Sequence, residues 1–347
     1  MDHQLTLALQ RQFDCWQKFA PCLGSNVAII DGRHGCWSGA AGYREIEAYE
    51  PMPAGASFYI YSITKAFVAA RLLQLDIALD RPISAYLPEL ALPDAVTVRR
   101  LLTHTGGVPS YTDLPDYMPS NCRSPGQPWS PDQVIGRCCA GPLDFVPGEG
   151  WHYSNTGYLL LARLIETVTG MRLSTAIADG ILTPLGLNST YVADAVDRGF
   201  VTPGYSRQLN SDARVENVTP IYHPGWCLTG LIVSTVDDVA RFFERLMGGS
   251  LLETEQLSAM TTPVPTGGGA GPFFQNPCYG LGLMIDPDWG HGGLFGHGGE
   301  GPGANTWAMY VPDFHGRPVI LVAFCNTTMG GQPLYLVKDL LRVLAEA

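Results

Sequence analysis

The sequence predicts an α/β fold: one antiparallel sheet built from both ends of the chain, flanked by terminal helices, with a mainly helical domain inserted between. Three observations lead there. Strand-like runs lie near the start ("NVAIID", "HGCWSGAAGY") and in the last third ("YGLGLMID", "ANTWAMYVP", "RPVILVAFCN"). Amphipathic helical patterns open and close the chain. The stretch between holds helical segments and Pro-rich loops. A sheet drawing strands from both ends, with helices between them, is the simplest way to bury all the apolar faces. The expected division is residues 1–75 plus 225–347 for the α/β domain and 76–224 for the helical insertion.

The elements follow in order. In "MDHQLTLALQRQFDCWQKF", Leu5, Leu9, Phe13, Trp16 and Phe19 recur at helical spacing. The two runs "NVAIID" and "HGCWSGAAGY" form a hairpin turned by "GR". A helix runs from Ser62 to Leu75, apolar on most sides. "RSPGQPWSPD" is a surface loop. "NTGYLLLARLIETVTG" is a helix that stops at Gly170. "STVDDVARFFERLMGG" is another, capped by Ser234 or Thr235, with acids in its first turn. The three late strands and the helix "PLYLVKDLLRVLAEA" finish the chain.

Composition narrows the function classes. The chain has 347 residues, 46% hydrophobic and 15% charged, which suits a large core split over two sub-domains. A net charge of −11 argues against nucleic acid or an anionic membrane as partner. No apolar stretch has the length of a membrane-spanning helix. The first residues lack the basic start and uninterrupted apolar core of a secretory signal. Nine cysteines form no C-x-x-C pair and fit a reducing compartment, so a cytoplasmic location is expected.

Three short motifs carry the chemistry. The first is "YSITKAF", with Ser62 and Lys65 one helical turn apart. The chain has only three lysines, so one in an apolar helix draws notice. An ordinary lysine, with a pKa of about 10.4, is a poor base at neutral pH. Burial lowers that value and lets the amine take a proton from a serine hydroxyl. A capping serine beside a surface lysine is the plain alternative. The second motif is "YSN", Tyr153 to Asn155. Tyr153 can relay a proton. Asn155 can hydrogen-bond both a lysine and a substrate carbonyl; otherwise it caps the following helix. The third is "GHGGE", with His297, Gly298, Gly299 and Glu300. Its glycines let a ligand approach the backbone; a simple hairpin turn is the alternative. His291 and His297 lack the spacing of a zinc motif, so no metal is expected.

The order S-x-x-K, Y-x-N, H-x-G resembles the serine β-lactamase and penicillin-binding-protein superfamily. It looks most like the class C branch, with its D-aminopeptidases, D-amino-acid amidases and family VIII carboxylesterases. "LLTHTGGVPSY" (101–111), "PGEGWHYSNTGYLLLARLIETVTG" (147–170), "TPLGL" (183–187), "GLIVSTVDDVARF" (230–242) and "YGLGLMI" (279–285) are also similar to family stretches. The resemblance implies a β-lactamase-like fold and no cofactor. It implies Ser62 as the acylated nucleophile, with Lys65 and Tyr153 sharing proton transfer. Asn155 would orient Lys65 and contact substrate. His297 would replace the family's third-motif lysine. The N–H groups of Ser62 and Glu300 would form the oxyanion hole. The G-x-S-x-G elbow of α/β-hydrolases is absent.

The third motif also bears on the substrate. A neutral histidine followed by Glu300 welcomes a carboxylate less than a lysine does. The expectation is a hydrolase of small amides or esters, D-amino-acid derivatives or simple esters, without efficient β-lactam turnover. Acyl transfer to an amine or alcohol, a β-lactamase or D,D-carboxypeptidase, and a non-enzymatic penicillin-binding sensor are the alternatives. His104 is read as stabilising a turn, His152 as a cleft or surface residue, and Tyr222 and Trp226 as cleft wall.

Overall fold

The computed structural model describes residues 1–20, 22–195, 201–210, 214–328 and 333–347. Helix α1 (His3–Phe19) starts where the Asp2 carboxylate accepts the Leu5 N–H, and it buries Leu5, Leu9 and Phe13. Strands β1 (Gly24–Asp31) and β2 (Gly35–Glu45) form the expected hairpin. Its turn takes His34 as well as "GR", because the Asp31 carboxylate accepts from the N–H groups of both Arg33 and His34. Short strands β3 (Glu50–Pro51) and β4 (Phe58–Tyr59) follow. A 3-10 turn, Tyr61–Ile63, then leads into α2 (Thr64–Gln74), so the regular helix begins just after Ser62.

The middle of the chain supplies α3 (Val98–Leu102), α4 (Tyr117–Arg123), α5 (Pro131–Cys138), α6 (Asn155–Thr169), α7 (Leu173–Ile177) and α8 (Thr183–Leu185). Short strands β5 (Tyr191–Ala193), β6 (Tyr205–Ser206) and β7 (Glu216–Asn217) precede β8 (Leu231–Ser234). Then come α9 (Val236–Met247), α10 (Thr254–Thr261), β9 (Val264–Pro265), β10 (Cys278–Tyr279), β11 (Met284–Asp286), β12 (Leu294–Gly301), β13 (Ala304–Val311), β14 (Val319–Cys325) and α11 (Pro333–Ala345).

Nine strands form one antiparallel sheet in the order β3-β2-β1-β14-β13-β12-β11-β10-β9. Both ends of the chain meet in it: β1 pairs with β14 from Ser25–Cys325 to Asp31–Val319. Period-two alternation sorts the side chains. Val27, Ile29, Leu321 and Ala323 pack with α1 and α11 on one face. Ala28, Ile320, Val322 and Phe324 pack on the other with α2 and α9, where Phe67 stacks on Phe242 at 3.7 Å. Burying each such ring stabilises the fold by about 1.5–3 kcal/mol.

One reading changes, and one strand is added. "YGLGLMID" is not one strand but β10 and β11, folded back on each other with Tyr279 opposite Met284. Gly282 takes a left-handed φ of 74° in the turn between them. "LIVS" before α9 is itself a strand, β8, in a separate sheet ordered β4-β8-β5. All four of its residues are buried, and that removes the alternation by which a strand is usually read. Thr235, not Ser234, caps α9 by accepting from the Asp238 N–H.

Candidate active site

Ser62 sits in the tight turn ahead of α2, and the residue before it is strained. Tyr61 has φ of 44°, a left-handed conformation that costs a bulky side chain of order 1–3 kcal/mol. Two contacts hold it. Its hydroxyl donates to the Pro302 carbonyl at 2.7 Å. Its ring lies on Gly301, where an added Cβ would fall 2.1 Å from a ring carbon. The end of β12 thereby fixes where Ser62 stands.

Lys65 lies on the first turn of α2 and is 1% exposed. Its Nζ donates to Ser62 Oγ at 3.1 Å and to Asn155 Oδ1 at 2.8 Å. It also lies over the rings of Tyr153 and Tyr158, at 4.7 and 5.4 Å from their centres. Burial disfavours its charge and pulls its pKa down to about 7, against a smaller opposing pull from Cys227.

The Y-S-N motif enters from the N-terminus of α6. Ser154 is the cap, accepting from the Gly157 N–H, so Asn155 is free to reach the site. Its Nδ2 donates to Thr112 Oγ1 at 3.2 Å, which orients Oδ1 towards Lys65. Burial pushes the Tyr153 phenol up in pKa. The neighbouring Ser62 hydroxyl pulls it slightly back, although the buried Tyr153 oxygen completes no hydrogen bond of normal geometry.

His297 on β12 is fully buried. Its Nδ1 is 2.6 Å from the Gly298 carbonyl, which only accepts, so Nδ1 carries the proton. Nε2 therefore accepts from the Tyr279 hydroxyl at 2.8 Å. Burial, with help from Lys65, drives the imidazole pKa down to about 3. The ring is neutral, and both nitrogens are occupied.

Ser62 borders two cavities. One, of about 310 Å³, is lined by Lys65, Tyr111, Asn155, Tyr222 and Glu300 among others. The other, of about 380 Å³, is lined by Tyr153, Met284, Gly299, Glu300, Trp307 and Leu334 among others. Glu300 is exposed and borders both. Ser62, Lys65, Tyr153, Asn155, Gly298, Gly299 and Glu300 thus converge, while His297 packs behind them. Trp226 is buried beneath the wall, where its carbonyl accepts from Tyr111 and Tyr117.

A family profile described as Beta-lactamase matches residues 17–345. The chain belongs to the beta-lactamase family. It is 27% identical over 298 residues to Penicillin-binding protein 4* of Bacillus subtilis, covering 81% of this chain and 64% of that protein. It is 31% identical over 199 residues to Esterase EstB of Burkholderia gladioli, covering 52% of this chain and 50% of that protein. The chain thus spans between half and two thirds of the length of these two curated relatives. Among solved structures, a D-stereospecific amidohydrolase from Streptomyces sp. superposes with a TM-score of 0.82 at 30% identity, covering 96% of this chain and 97% of that one. The D-amino acid amidase from Ochrobactrum anthropi SV3 shares the fold, with a TM-score of 0.85 at 24% identity over 99% of both chains.

Two supporting residues of this beta-lactamase-family site escaped the sequence reading. Tyr279 anchors His297. His104, read as a turn residue, accepts the Ser154 N–H at 3.0 Å and packs 4.3 Å from the Tyr153 ring, so it positions the second motif. A lone tyrosine in a strand and a histidine in "LTHTGG" carry no local signal of either role. His152 sits at the surface between Asp144, 2.7 Å from Nδ1, and Asp113, 3.3 Å from Nε2. Among the described residues, no group of three or more His, Cys, Asp or Glu is placed to hold a metal, and no helix is long and apolar enough to cross a membrane.

Proposed function

We propose that the protein is a serine hydrolase working through an acyl-enzyme at Ser62, on small amides or esters such as D-amino-acid derivatives or simple carboxylic esters. The observation that carries this is the Lys65–Ser62 pair: a buried amine with a pKa of about 7, 3.1 Å from the hydroxyl it would deprotonate. Tyr153, pushed the other way, stays a phenol at neutral pH. Lys65 is therefore the base in acylation, and Tyr153 passes a proton on to the leaving group. Asn155 holds the lysine and contacts substrate.

The oxyanion hole is assigned to the N–H groups of Ser62 and Glu300. Gly301 and Ala304 close a two-residue turn, so Glu300–Asn305 is the next pair along the ladder. The alternation of antiparallel bonding then turns the Glu300 N–H away from β13. β11 pairs only as far as Gly296, which leaves that side of Glu300 unpaired by β11. Removing one such donor from an oxyanion hole typically lowers kcat by about 10²–10³.

The substrate class follows from charge. His297 is neutral with both nitrogens taken, so it offers no cation to a carboxylate; Glu300 is exposed on the cleft. Efficient β-lactam or acyl-D-Ala-D-Ala turnover is not expected. The relatives and neighbours named esterase and D-stereospecific amidohydrolase support this reading. The domain division proposed is 1–75 plus 225–347 and 76–224; the first domain gives Ser62, Lys65 and the third motif, the second Tyr153 and Asn155. The nine cysteines are free thiols, which suits the proposed cytoplasmic location.

Acid-quenched intact masses of wild type and Ser62→Ala test the proposal, with p-nitrophenyl butyrate, D-alanine amide, an acyl-D-Ala-D-Ala peptide and a penicillin as donors. Parallel samples report product. The expected result is a Ser62-dependent adduct or turnover with the ester or amide and little with the two carboxylates. Rapid acylation by penicillin would overturn the substrate reading.

A second reading, acyl transfer, draws on the two cavities that flank Ser62, since one can seat the acyl group and the other an amine or alcohol acceptor. Product analysis with added amine separates it from hydrolysis.

A further inference from the structure

Four tyrosine rings, Tyr61, Tyr111, Tyr117 and Tyr222, line the cavity that holds Ser62 and Lys65. Each hydroxyl is committed. That of Tyr61 donates to the Pro302 carbonyl. Those of Tyr111 and Tyr117 donate to the Trp226 carbonyl at 3.3 and 3.4 Å. That of Tyr222 contacts the Cys227 thiol at 3.4 Å. Asn121, on α4, lines the same cavity and is 1% exposed. Burial pushes the Tyr117 phenol up in pKa, and the neighbouring Asn121 side chain pulls it partly back. The Asn121 Oδ1 is buried with no partner.

Buried acceptors nearly always have a donor, and one left without gains more than usual from a ligand that brings it. The surrounding rings suit a flat apolar ligand. We propose that this chamber selects an aromatic substrate group bearing an O–H or N–H, and that Asn121 Oδ1 is the acceptor that reads it. The inference rests on the hydrolase reading above and names its substrate. Oδ1 is covered in this structure, so a ligand reaches it only by displacing part of the wall. Met118, three residues earlier on α4 and on the same cavity wall, is unbranched and can repack when a ligand enters.

Calorimetry on the Ser62→Ala protein measures the preference without turnover. The first pair of ligands is 3-phenylpropanamide and 3-(4-hydroxyphenyl)propanamide, with the ring on the acyl side. The second is N-benzylacetamide and N-(4-hydroxybenzyl)acetamide, with the ring on the amine side. In one pair the hydroxyl compound should bind about 10-fold tighter or more. Adding Asn121→Leu should bring the two within about 2-fold. Equal binding in both pairs, or a preference that survives Asn121→Leu, would overturn the proposal. If Asn121→Leu loses its cooperative melt, Asn121→Asp serves instead: the 4-(aminomethyl)phenyl analogue should become the tighter ligand, and an unchanged ranking counts against the proposal. Turnover of p-nitrophenyl 3-phenylpropanoate by wild type reads the hydrolase assignment separately; a lack of any Ser62 adduct sinks that assignment on its own account.

Discussion

Tyr279 donates its hydroxyl proton to Nε2 of His297 at 2.8 Å, and this one bond fixes the character of the third motif. The tyrosine comes from β10 and the histidine from β12, with β11 lying between those strands in the sheet. Tyr279→Phe leaves a buried ring nitrogen unpaired. Urea denaturation should show a loss of about 1–3 kcal/mol. An unchanged midpoint would mean that the ring finds another donor and that Tyr279 does not anchor it.

Ser62→Ala removes the proposed nucleophile and little else. Turnover of any accepted ester should fall by at least about 10³-fold, while the melting temperature stays within error of wild type. Full activity in this variant would end the assignment of Ser62.

The pH dependence follows from Lys65. Its neutral form is the proposed base, so the acylation rate should rise with pH through a midpoint near 7, followed by burst kinetics with a chromogenic ester. Stability follows the same group. Unfolded lysine titrates near 10.4 and the folded one near 7, so between these values the unfolded chain holds more protons. Stability from this group therefore rises with pH across that window, and below it the penalty is complete.

Lys65→Met tests that penalty directly. The variant should be inactive yet more stable than wild type at pH 7, by about 1–3 kcal/mol after the loss of the Asn155 partner. The gap should shrink as pH is raised to 9. A less stable variant at every pH would show that the amine is not buried at a cost.

Far from the cleft, the Arg317 guanidinium donates to both oxygens of Asp31 at 2.9 Å, with the two side chains 7% and 0% exposed. Arg317→Leu strands a buried carboxylate. Unfolding should become easier by about 3–5 kcal/mol, read by denaturant titration, with kcat of the surviving native fraction unchanged.

The residues at the heart of the site were legible because each sits in a short local pattern. Ser62 and Lys65 share one turn, and Asn155 opens a helix whose stop at Gly170 is plain. The sheet was legible where apolar runs are long, as in β1 and β14, and lost where they are short or folded back. β8 is only four residues long and runs straight into the cap of α9, and β10 and β11 share one apolar run broken only at Gly280–Leu283. His297 was found by position, yet its neutrality comes from burial and from nearby Lys65, and it is held by Tyr279, 18 residues away in the chain. The orphan oxygen of Asn121 lay further from view, since only the assembled wall shows which of its polar groups lack partners.

The pairing of β1 with β14 has a consequence for synthesis. The Gly24 N–H is bonded by the Asn326 side chain, 302 positions along the chain. A ribosome adding about 5–20 residues per second needs roughly 15–60 s between the two. Through that interval the edge of β1 that β14 will cover stays open, and Ser62 has emerged long before the strands that seat it. Assembly of the site therefore waits for the last strands, and until then the early hairpin presents an edge open to other chains.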